Sequence, residues 1–116
     1  MTQQEHNSQM DYVEFPATNI AATKQFYGSV FGWGFTDYGP EYTSFHDGRL
    51  AGGFSMDAKP VMGGVLVVLY ARVLEDTRRK VIAVGETTTK ETFEFPGGRR
   101  FHFADPNGNE LAVWSE

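Results

Sequence analysis

The chain has 116 residues, a formal net charge of −5 at pH 7 and no cysteine. This length suits one domain with its own hydrophobic core, and the lack of cysteine excludes disulfide scaffolds, thiolate nucleophiles and cysteine-ligated zinc. The acidic balance argues against a nucleic-acid partner, because phosphate binding requires lysine and arginine clustered on one face.

The N-terminal segment, residues 1–9, is polar and contains no apolar region of the kind found in signal peptides. We expect it to be a disordered or loosely ordered tail. No later stretch approaches the roughly 18 consecutive apolar residues of a membrane span, and a chain without cysteine is compatible with a reducing compartment. The sequence therefore predicts a soluble, cytoplasmic protein that has no membrane partner.

The first half of the remaining chain predicts a strand, a helix and three further strands. Residues 10–17 are rich in tyrosine, valine and phenylalanine, and their alternation places Tyr12 and Glu14 on one face of a strand. Asn19 is suited to cap the helix that follows, and Gly32 is suited to end it in the left-handed conformation. Turn residues then separate three short strands, which we place at residues 33–38, 41–46 and 50–56.

The second half repeats this βαβββ order. A strand rich in β-branched residues covers residues 65–70, and the helix after it stops at Gly85. The remaining strands are predicted at residues 86–89, at residues 92–95 with a weak extension into Arg100, and in a closing hairpin. Two units of the same order, at about residues 10–58 and 64–116, indicate an internal repeat within a single domain that spans residues 10–116.

The closing hairpin turns at Asp105-Pro106-Asn107-Gly108-Asn109. Pro106 presets φ for the second position of a type I turn, Asp105 can bond the turn backbone, and Gly108 tolerates positive φ where the chain reverses. We therefore predict one strand before Asp105 and a second strand from Glu110 to Trp114.

Three segments together resemble the glyoxalase, bleomycin-resistance and extradiol-dioxygenase superfamily, whose members are also called vicinal oxygen chelate proteins. They are the opening strand and helix cap at Tyr12–Asn19, the first helix end at Phe26–Trp33, and the closing turn at Asp105–Asn109. The resemblance extends from about Met10 to Glu116. It implies a single α+β domain in which two βαβββ modules form a curved mixed sheet around a shared cleft, commonly in a homodimer.

The resemblance also implies where a divalent metal ion would bind, since the enzymes of this superfamily place His, Gln or Glu on the inward faces of four strands. These positions fall on Tyr12, Leu66, Ala112 and a residue within 50–56, a stretch that contains no His or carboxylate. A phenol is a poor ligand at neutral pH because it must first lose a proton. We therefore predict that the chain has neither a metal site nor a cofactor, which argues against glyoxalase I and dioxygenase chemistry.

In the geometry that the resemblance implies, alternation turns an apolar and aromatic wall with a few polar groups toward the cleft. Leu66 and Val68 alternatively fill the core, and His102 faces either the cleft or solvent. Glu14 either binds a cationic ligand or acts as a general base, or it is simply a hydrogen-bonded strand carboxylate. The predicted ligand-binding residues are Tyr12, Glu14, Leu66, Val68, Tyr70, His102, Glu110 and Trp114.

These observations favour a metal-free protein that holds or sequesters a small organic molecule in an aromatic cleft. The alternative is an enzyme, either a metal-independent isomerase or lyase that uses Glu14 with His102, or a lyase- or dioxygenase-like metalloenzyme with an atypical site. A third reading is a surface for a protein partner. We expect a homodimer, formed either side by side or by exchange of modules between chains.

Overall fold

The computed structural model describes residues 3–61 and 63–116. Its first module is a four-stranded mixed sheet with one helix. β1 lies at one edge and pairs in parallel with β4, and the strand order is β1-β4-β3-β2. Before β1, Gln3–His6 forms one turn of 3-10 helix in which no residue is buried. The elements are β1 (Tyr12–Pro16), α1 (Ile20–Phe31), β2 (Gly34–Asp37), β3 (Tyr42–His46) and β4 (Ala51–Ser55).

The second module repeats this arrangement, and the predicted pair of βαβββ units is confirmed. Its strand order is β5-β8-β7-β6, with β5 parallel to β8 at one edge of the sheet. Neither helix of the described residues is long and apolar enough to cross a membrane. The elements are β5 (Val67–Tyr70), α2 (Leu74–Ala83), β6 (Thr88–Phe95), β7 (Gly98–Ala104) and β8 (Glu110–Ser115).

Two strands that the sequence predicts separately, at residues 86–89 and 92–95, form one continuous strand, and the predicted break between them is wrong. β6 runs from Thr88, near the end of the first segment, through the whole of the second, and the shifts in its register on either side of Lys90 mark bulges. A bulge leaves residues unpaired and interrupts the alternation of exposed and buried positions that a sequence pattern relies on. β5 also begins later than predicted, at Val67, so that Leu66 precedes the strand.

The predicted ends of the first helix are confirmed. The Asn19 side chain accepts a hydrogen bond from the Ala22 backbone N–H at 2.9 Å, and Gly32 adopts the left-handed conformation with φ of +74°. These caps satisfy backbone groups that the first and last turns of a helix leave without a partner. The two capping residues therefore determine where the helix begins and ends.

Aromatic side chains join the two modules into one core. Phe26 and Phe31 of α1 lie 5.7 and 5.8 Å, between ring centroids, from Phe103 of β7. On β1, Phe15 is buried in this core whereas Glu14 is exposed, which confirms the predicted alternation. Burial of aromatic side chains supplies a large share of the free energy that holds the modules together.

The turn at Asp105–Asn109 forms as predicted, with Gly108 at φ of +95° and its N–H donating to the Asp105 carbonyl at 3.0 Å. The Asp105 carboxylate accepts hydrogen bonds from the backbone N–H groups of Asn107 and Asn109 at 2.8 and 2.9 Å. It also accepts one from the Tyr27 hydroxyl of α1 at 2.9 Å. The same carboxylate thus shapes the turn and ties it to the other module.

Two asparagines extend this contact between the modules. Asn107 Oδ1 accepts from the backbone N–H groups of Thr18 and Asn19, at 2.7 and 3.1 Å. Asn109 Nδ2 donates to the Pro16 carbonyl at 2.8 Å. Both asparagines are buried, so these bonds replace water for groups that would otherwise lack a partner. The closing turn of the second module therefore holds the end of β1 and the start of α1.

Candidate ligand site

A cavity of about 310 Å³ lies between the two modules. Its walls include β1 on one side, and the start of β5 and the turn residue Asn109 on the other. Five residues of the segment that joins the modules also border it: Ala58, Lys59, Val61, Gly64 and Val65. Two of the predicted ligand-binding residues, Glu14 and Glu110, lie at its wall and belong to different modules.

Glu14 is held by a pair of tyrosines on the same face of the first sheet. Tyr42 of β3 donates from its hydroxyl to Glu14 Oε2 at 3.0 Å and is also hydrogen-bonded to the hydroxyl of Tyr12. Because the single Tyr42 proton points to Glu14, Tyr12 donates to Tyr42. The result is a chain of hydrogen bonds from Tyr12 through Tyr42 to the carboxylate.

Gly53 of β4 makes this arrangement possible. It pairs with Glu14 of β1 on one side and with Ser44 of β3 on the other, so it lies beneath the two tyrosines. A Cβ atom added at Gly53 would overlap the Tyr42 hydroxyl and stand 2.7 Å from the Tyr12 hydroxyl. Only glycine leaves room for both hydroxyl groups above this strand.

The protonation of Tyr42 follows from its surroundings. Burial, together with the hydrogen bonds to Tyr12 and Glu14, raises the pKa of the Tyr42 phenol well above its ordinary value. Tyr42 therefore remains a donor at neutral pH. Since its bond uses only Oε2, the other carboxylate oxygen of Glu14, which makes no hydrogen bond within residues 3–61 and 63–116, is left for a ligand.

Glu110 is held by its own module. Thr89 donates from its hydroxyl to Glu110 Oε2 at 2.7 Å, and His102 Nδ1 lies 3.4 Å from the same oxygen. The Thr89 hydrogen bond, with His102 as a smaller cause, lowers the pKa of Glu110 below its ordinary value. The carboxylate is therefore ionised at neutral pH, and Glu110 is a negatively charged residue of the cavity lining.

His102 lies buried on the cleft face of the second sheet. Burial is the largest cause that lowers the pKa of His102, because it disfavours the charged imidazolium, and Glu110 only partly opposes it. The ring is therefore neutral at pH 7. With Nδ1 directed to Glu110, Nε2 is left with no hydrogen-bond partner in the part of the chain that the structure describes.

Three of the predicted ligand-binding residues, Val68, Tyr70 and Trp114, lie in a different part of the molecule from Glu14. Val68 and Tyr70 of β5 pair with Ala112 and Trp114 of β8, so all four share the cleft face of the second sheet. Val68 and Trp114 border a second cavity of about 310 Å³ at the far end of this face. Leu66 is half-buried and borders neither cavity.

The structure thus divides the predicted site into an acidic cavity between the modules and an aromatic surface on the second sheet. Sequence reasoning missed Tyr42, Thr89 and Lys59, which take part in the first of these. Tyr42 carries one local signal, since it alternates with Ser44 and His46 on a predicted strand. Its contact with Glu14 depends on strand pairing and has no signal in the sequence.

The residues at the expected metal positions do not fit a divalent ion. On β4, Ala51 and Gly53 pair with Tyr12 and Glu14, and neither has a side-chain donor. The Tyr12 phenol is already hydrogen-bonded, and Ala112 has no polar group. Among the described residues, no three His, Cys, Asp or Glu side chains lie close enough together to hold a metal ion.

Comparison with known proteins agrees with the fold described above. The profile of the family described as Glyoxalase/Bleomycin resistance protein/Dioxygenase superfamily matches residues 9–113. No curated protein sequence matches the chain. At the level of sequence, the likeness therefore rests on the family profile.

Solved structures are similar to the chain over nearly its whole length. A glyoxalase-related enzyme from Fulvimarina pelagi is 18% identical, with a TM-score of 0.79, over 94% of this chain and 88% of that one. Lactoylglutathione lyase from Agrobacterium tumefaciens is 17% identical, with a TM-score of 0.73 and 93% of each chain covered. The fosfomycin resistance protein FosX from Mesorhizobium loti is 12% identical, with a TM-score of 0.77, over 94% and 92%. The TM-scores show that the chain shares the fold of these proteins, and at such low identities the likeness is limited to the fold.

Proposed function

Because the chain belongs to the Glyoxalase/Bleomycin resistance protein/Dioxygenase superfamily, we propose that it is a small-molecule-binding protein that holds an organic ligand without a metal ion. The observation that carries this proposal is the cavity between the modules, at whose wall two carboxylates are held by hydrogen bonds. Its volume of about 310 Å³ lies at the lower end of the range of about 300–1,000 Å³ typical of ligand pockets.

The charge of the cavity favours a ligand with a cationic group. Glu14 and Glu110 contribute two carboxylates to the wall, and Lys59 contributes one ammonium group. The remaining wall is largely apolar and includes Val61, Val65 and other aliphatic side chains. An organic amine would bind a free oxygen of Glu14 and the ionised Glu110, while its hydrocarbon part packs against the apolar wall.

Benzylamine and its neutral analogue benzyl alcohol test this proposal by isothermal titration calorimetry in the presence of EDTA. We expect benzylamine to bind at least tenfold more tightly than benzyl alcohol, and Glu14→Gln and Glu110→Gln each to remove most of that difference. Glu94→Gln is the matched control, because Glu94 is an exposed carboxylate that borders neither cavity. Equal affinity for the two compounds would contradict the assignment of a cationic ligand.

Elemental analysis of protein purified without chelator or affinity tag tests the other half of the proposal. We expect no stoichiometric metal, and melting curves that do not shift with Zn²⁺, Ni²⁺, Mn²⁺ or Fe²⁺. A metal that binds the folded state would raise the melting temperature, and a tighter-binding metal would raise it further. One tightly bound ion per chain would contradict a metal-free site and favour an enzyme.

A second candidate function is metal-independent proton transfer, which the geometry of His102 favours. Its ring is neutral and its Nδ1 is directed to Glu110, while its Nε2 has no hydrogen-bond partner within the described residues. Glu14, the other predicted catalytic residue, is hydrogen-bonded to Tyr42 instead. An isomerase or lyase that used both residues would lose turnover with Glu14→Gln and with His102→Gln while keeping its fold, whereas a sequestering protein has no turnover to lose.

We also propose that the protein acts in the cytoplasm as a homodimer. The edge strands β2 and β6, which lie at the outer ends of the two sheets, and the exposed aromatic residue Tyr38 offer surface for a second copy. Sedimentation velocity at several concentrations tests the dimer, and fractionation of cells that express the protein tests its location.

A further inference from the structure

The aromatic surface of the second sheet is built around Arg100. Register places one residue from each of the four strands in a single row across the cleft face. The row runs through Phe93 of β6, Arg100 of β7, Trp114 of β8 and Tyr70 of β5. Three aromatic side chains and one cation therefore lie side by side on neighbouring strands.

The Arg100 guanidinium is held by aromatic rings and, among the residues that the structure describes, has no counter-ion. Its central carbon lies 5.3 Å from the centroid of the Phe93 ring and 5.5 Å from that of Phe95. Within residues 3–61 and 63–116, no carboxylate lies within 4.0 Å of it, and its buried Nε has no hydrogen-bond partner. The neighbouring Arg99, in contrast, forms an ion pair with Glu75.

A cavity of about 310 Å³ opens beside this guanidinium. Val68, Phe95, Pro96 and Trp114 supply its apolar walls, and Arg100 is the charged residue of its lining. The Trp114 ring is itself fixed by edge contacts with Tyr70 and Phe95, at 5.2 and 6.1 Å between centroids. The site therefore combines flat apolar walls with one cation whose geometry is set before any ligand binds.

We propose that this cavity is a second binding site, separate from the cavity between the modules, and that it takes a small aromatic carboxylate. The planar fork of an arginine pairs with a carboxylate through two parallel hydrogen bonds. Once the carboxylate is so held at Arg100, the ring of the ligand packs against Trp114 and Phe95.

The single charge of the site selects among anions. One guanidinium neutralises a monoanion, whereas a phosphate dianion would bring an unmatched charge against apolar walls. An aliphatic acid would make the same ion pair but could not stack on the flat aromatic walls. The preferred ligand is therefore a planar aromatic monoanion, opposite in charge to the amine proposed for the cavity between the modules.

Titration with benzoate, benzyl alcohol and cyclohexanecarboxylate, followed by calorimetry, tests this site. We expect benzoate to bind most tightly, and Arg100→Gln to weaken it at least tenfold. Arg99→Gln is the matched control and should change the benzoate affinity less than twofold. Circular dichroism melts establish that both variants are folded.

Three results would overturn this proposal. One is a benzoate affinity that is the same in Arg100→Gln as in the wild type, and another is no binding of benzoate at millimolar concentration. The third is a dimer, seen by sedimentation, that Arg100→Gln weakens and that binds no benzoate. That result would mean that a second copy of the chain covers the cavity. Benzylamine binding, which depends on Glu14 and Glu110, is measured on the same variants, so each site succeeds or fails on its own.

Discussion

Replacement of Asn107 by alanine should separate the contribution of the closing turn from that of the aromatic core. The Asn107 amide oxygen accepts from the backbone N–H groups of Thr18 and Asn19, and its nitrogen donates to the Thr23 hydroxyl at 2.8 Å. All three partners belong to the first module. Alanine would remove these bonds and leave buried polar groups without replacements.

The expected loss can be worked from those three bonds. A hydrogen bond contributes about 1 kcal/mol net to stability, and an abandoned buried partner costs as much or more. Asn107→Ala should therefore lower the free energy of unfolding by about 3 kcal/mol. At about 4 °C per kcal/mol for a domain of this size, the melting temperature should fall by about 12 °C.

Urea titration followed by circular dichroism, together with thermal melts, measures this effect. Asn7→Ala is the matched control, because Asn7 is exposed and its side chain forms no hydrogen bond within the described residues. It should change stability by no more than about 0.5 kcal/mol. If Asn107→Ala also stayed within that limit, the turn would not hold the modules together, and the aromatic core alone would have to do so.

Three further substitutions test other parts of the structure. Gly53→Ala should destabilise the protein by about 1–3 kcal/mol in thermal melts, because the added Cβ overlaps the Tyr42 hydroxyl. Tyr27→Phe should cost about 1–3 kcal/mol in urea titrations, because the buried Asp105 carboxylate loses a donor. His102→Gln should flatten the fall in melting temperature between about pH 6.5 and pH 5, because burial lowers the pKa of His102 in the folded state.

The sign of the pH effect follows from which state binds the proton first. The unfolded chain takes up the His102 proton near its ordinary pKa of about 6.5, while the folded protein resists until lower pH. The stabilisation from neutral His102 is complete above about pH 6.5 and is lost as the pH falls toward the folded-state pKa. Identical pH profiles for His102→Gln and the wild type would contradict this reasoning.

The predictions for Gly53→Ala and Tyr27→Phe can also be contradicted by a clear result. Gly34→Ala is the control for Gly53, since a Cβ at Gly34 would meet nothing within 4 Å, and equal melting temperatures for the two variants would refute the steric argument. For Tyr27→Phe, stability equal to that of the wild type would mean that water satisfies Asp105 in place of the phenol.

Several features of the fold could be predicted from residues that act on their near neighbours. The Asn19 cap, the left-handed Gly32 and the turn at Asp105–Asn109 each depend on contacts that span only a few positions. The predicted break within β6 was wrong for the converse reason. The bulged strand at Lys90 follows from pairing with β7, which local alternation does not report.

The site was predictable only in part. Alternation on β1 and β8 predicted one face of each strand for Glu14 and for Glu110, and both residues border the cavity between the modules. The alternation pattern did not show that this cavity lies apart from the aromatic surface around Trp114. The distance between the two depends on how the modules pack, and no spacing within the chain determines it.

By itself, the sequence determined the two βαβββ units, the ends of the first helix and the closing turn. These depend on residue identity and on short-range periodicity, which are properties of the sequence whether or not the chain is folded. Only the tertiary structure decided that Tyr42 holds Glu14, that Thr89 holds Glu110, and that Arg100 lies against the rings of Phe93 and Phe95. Each of these depends on strand register between residues distant in sequence, which is established only when the two modules fold and bury their shared core.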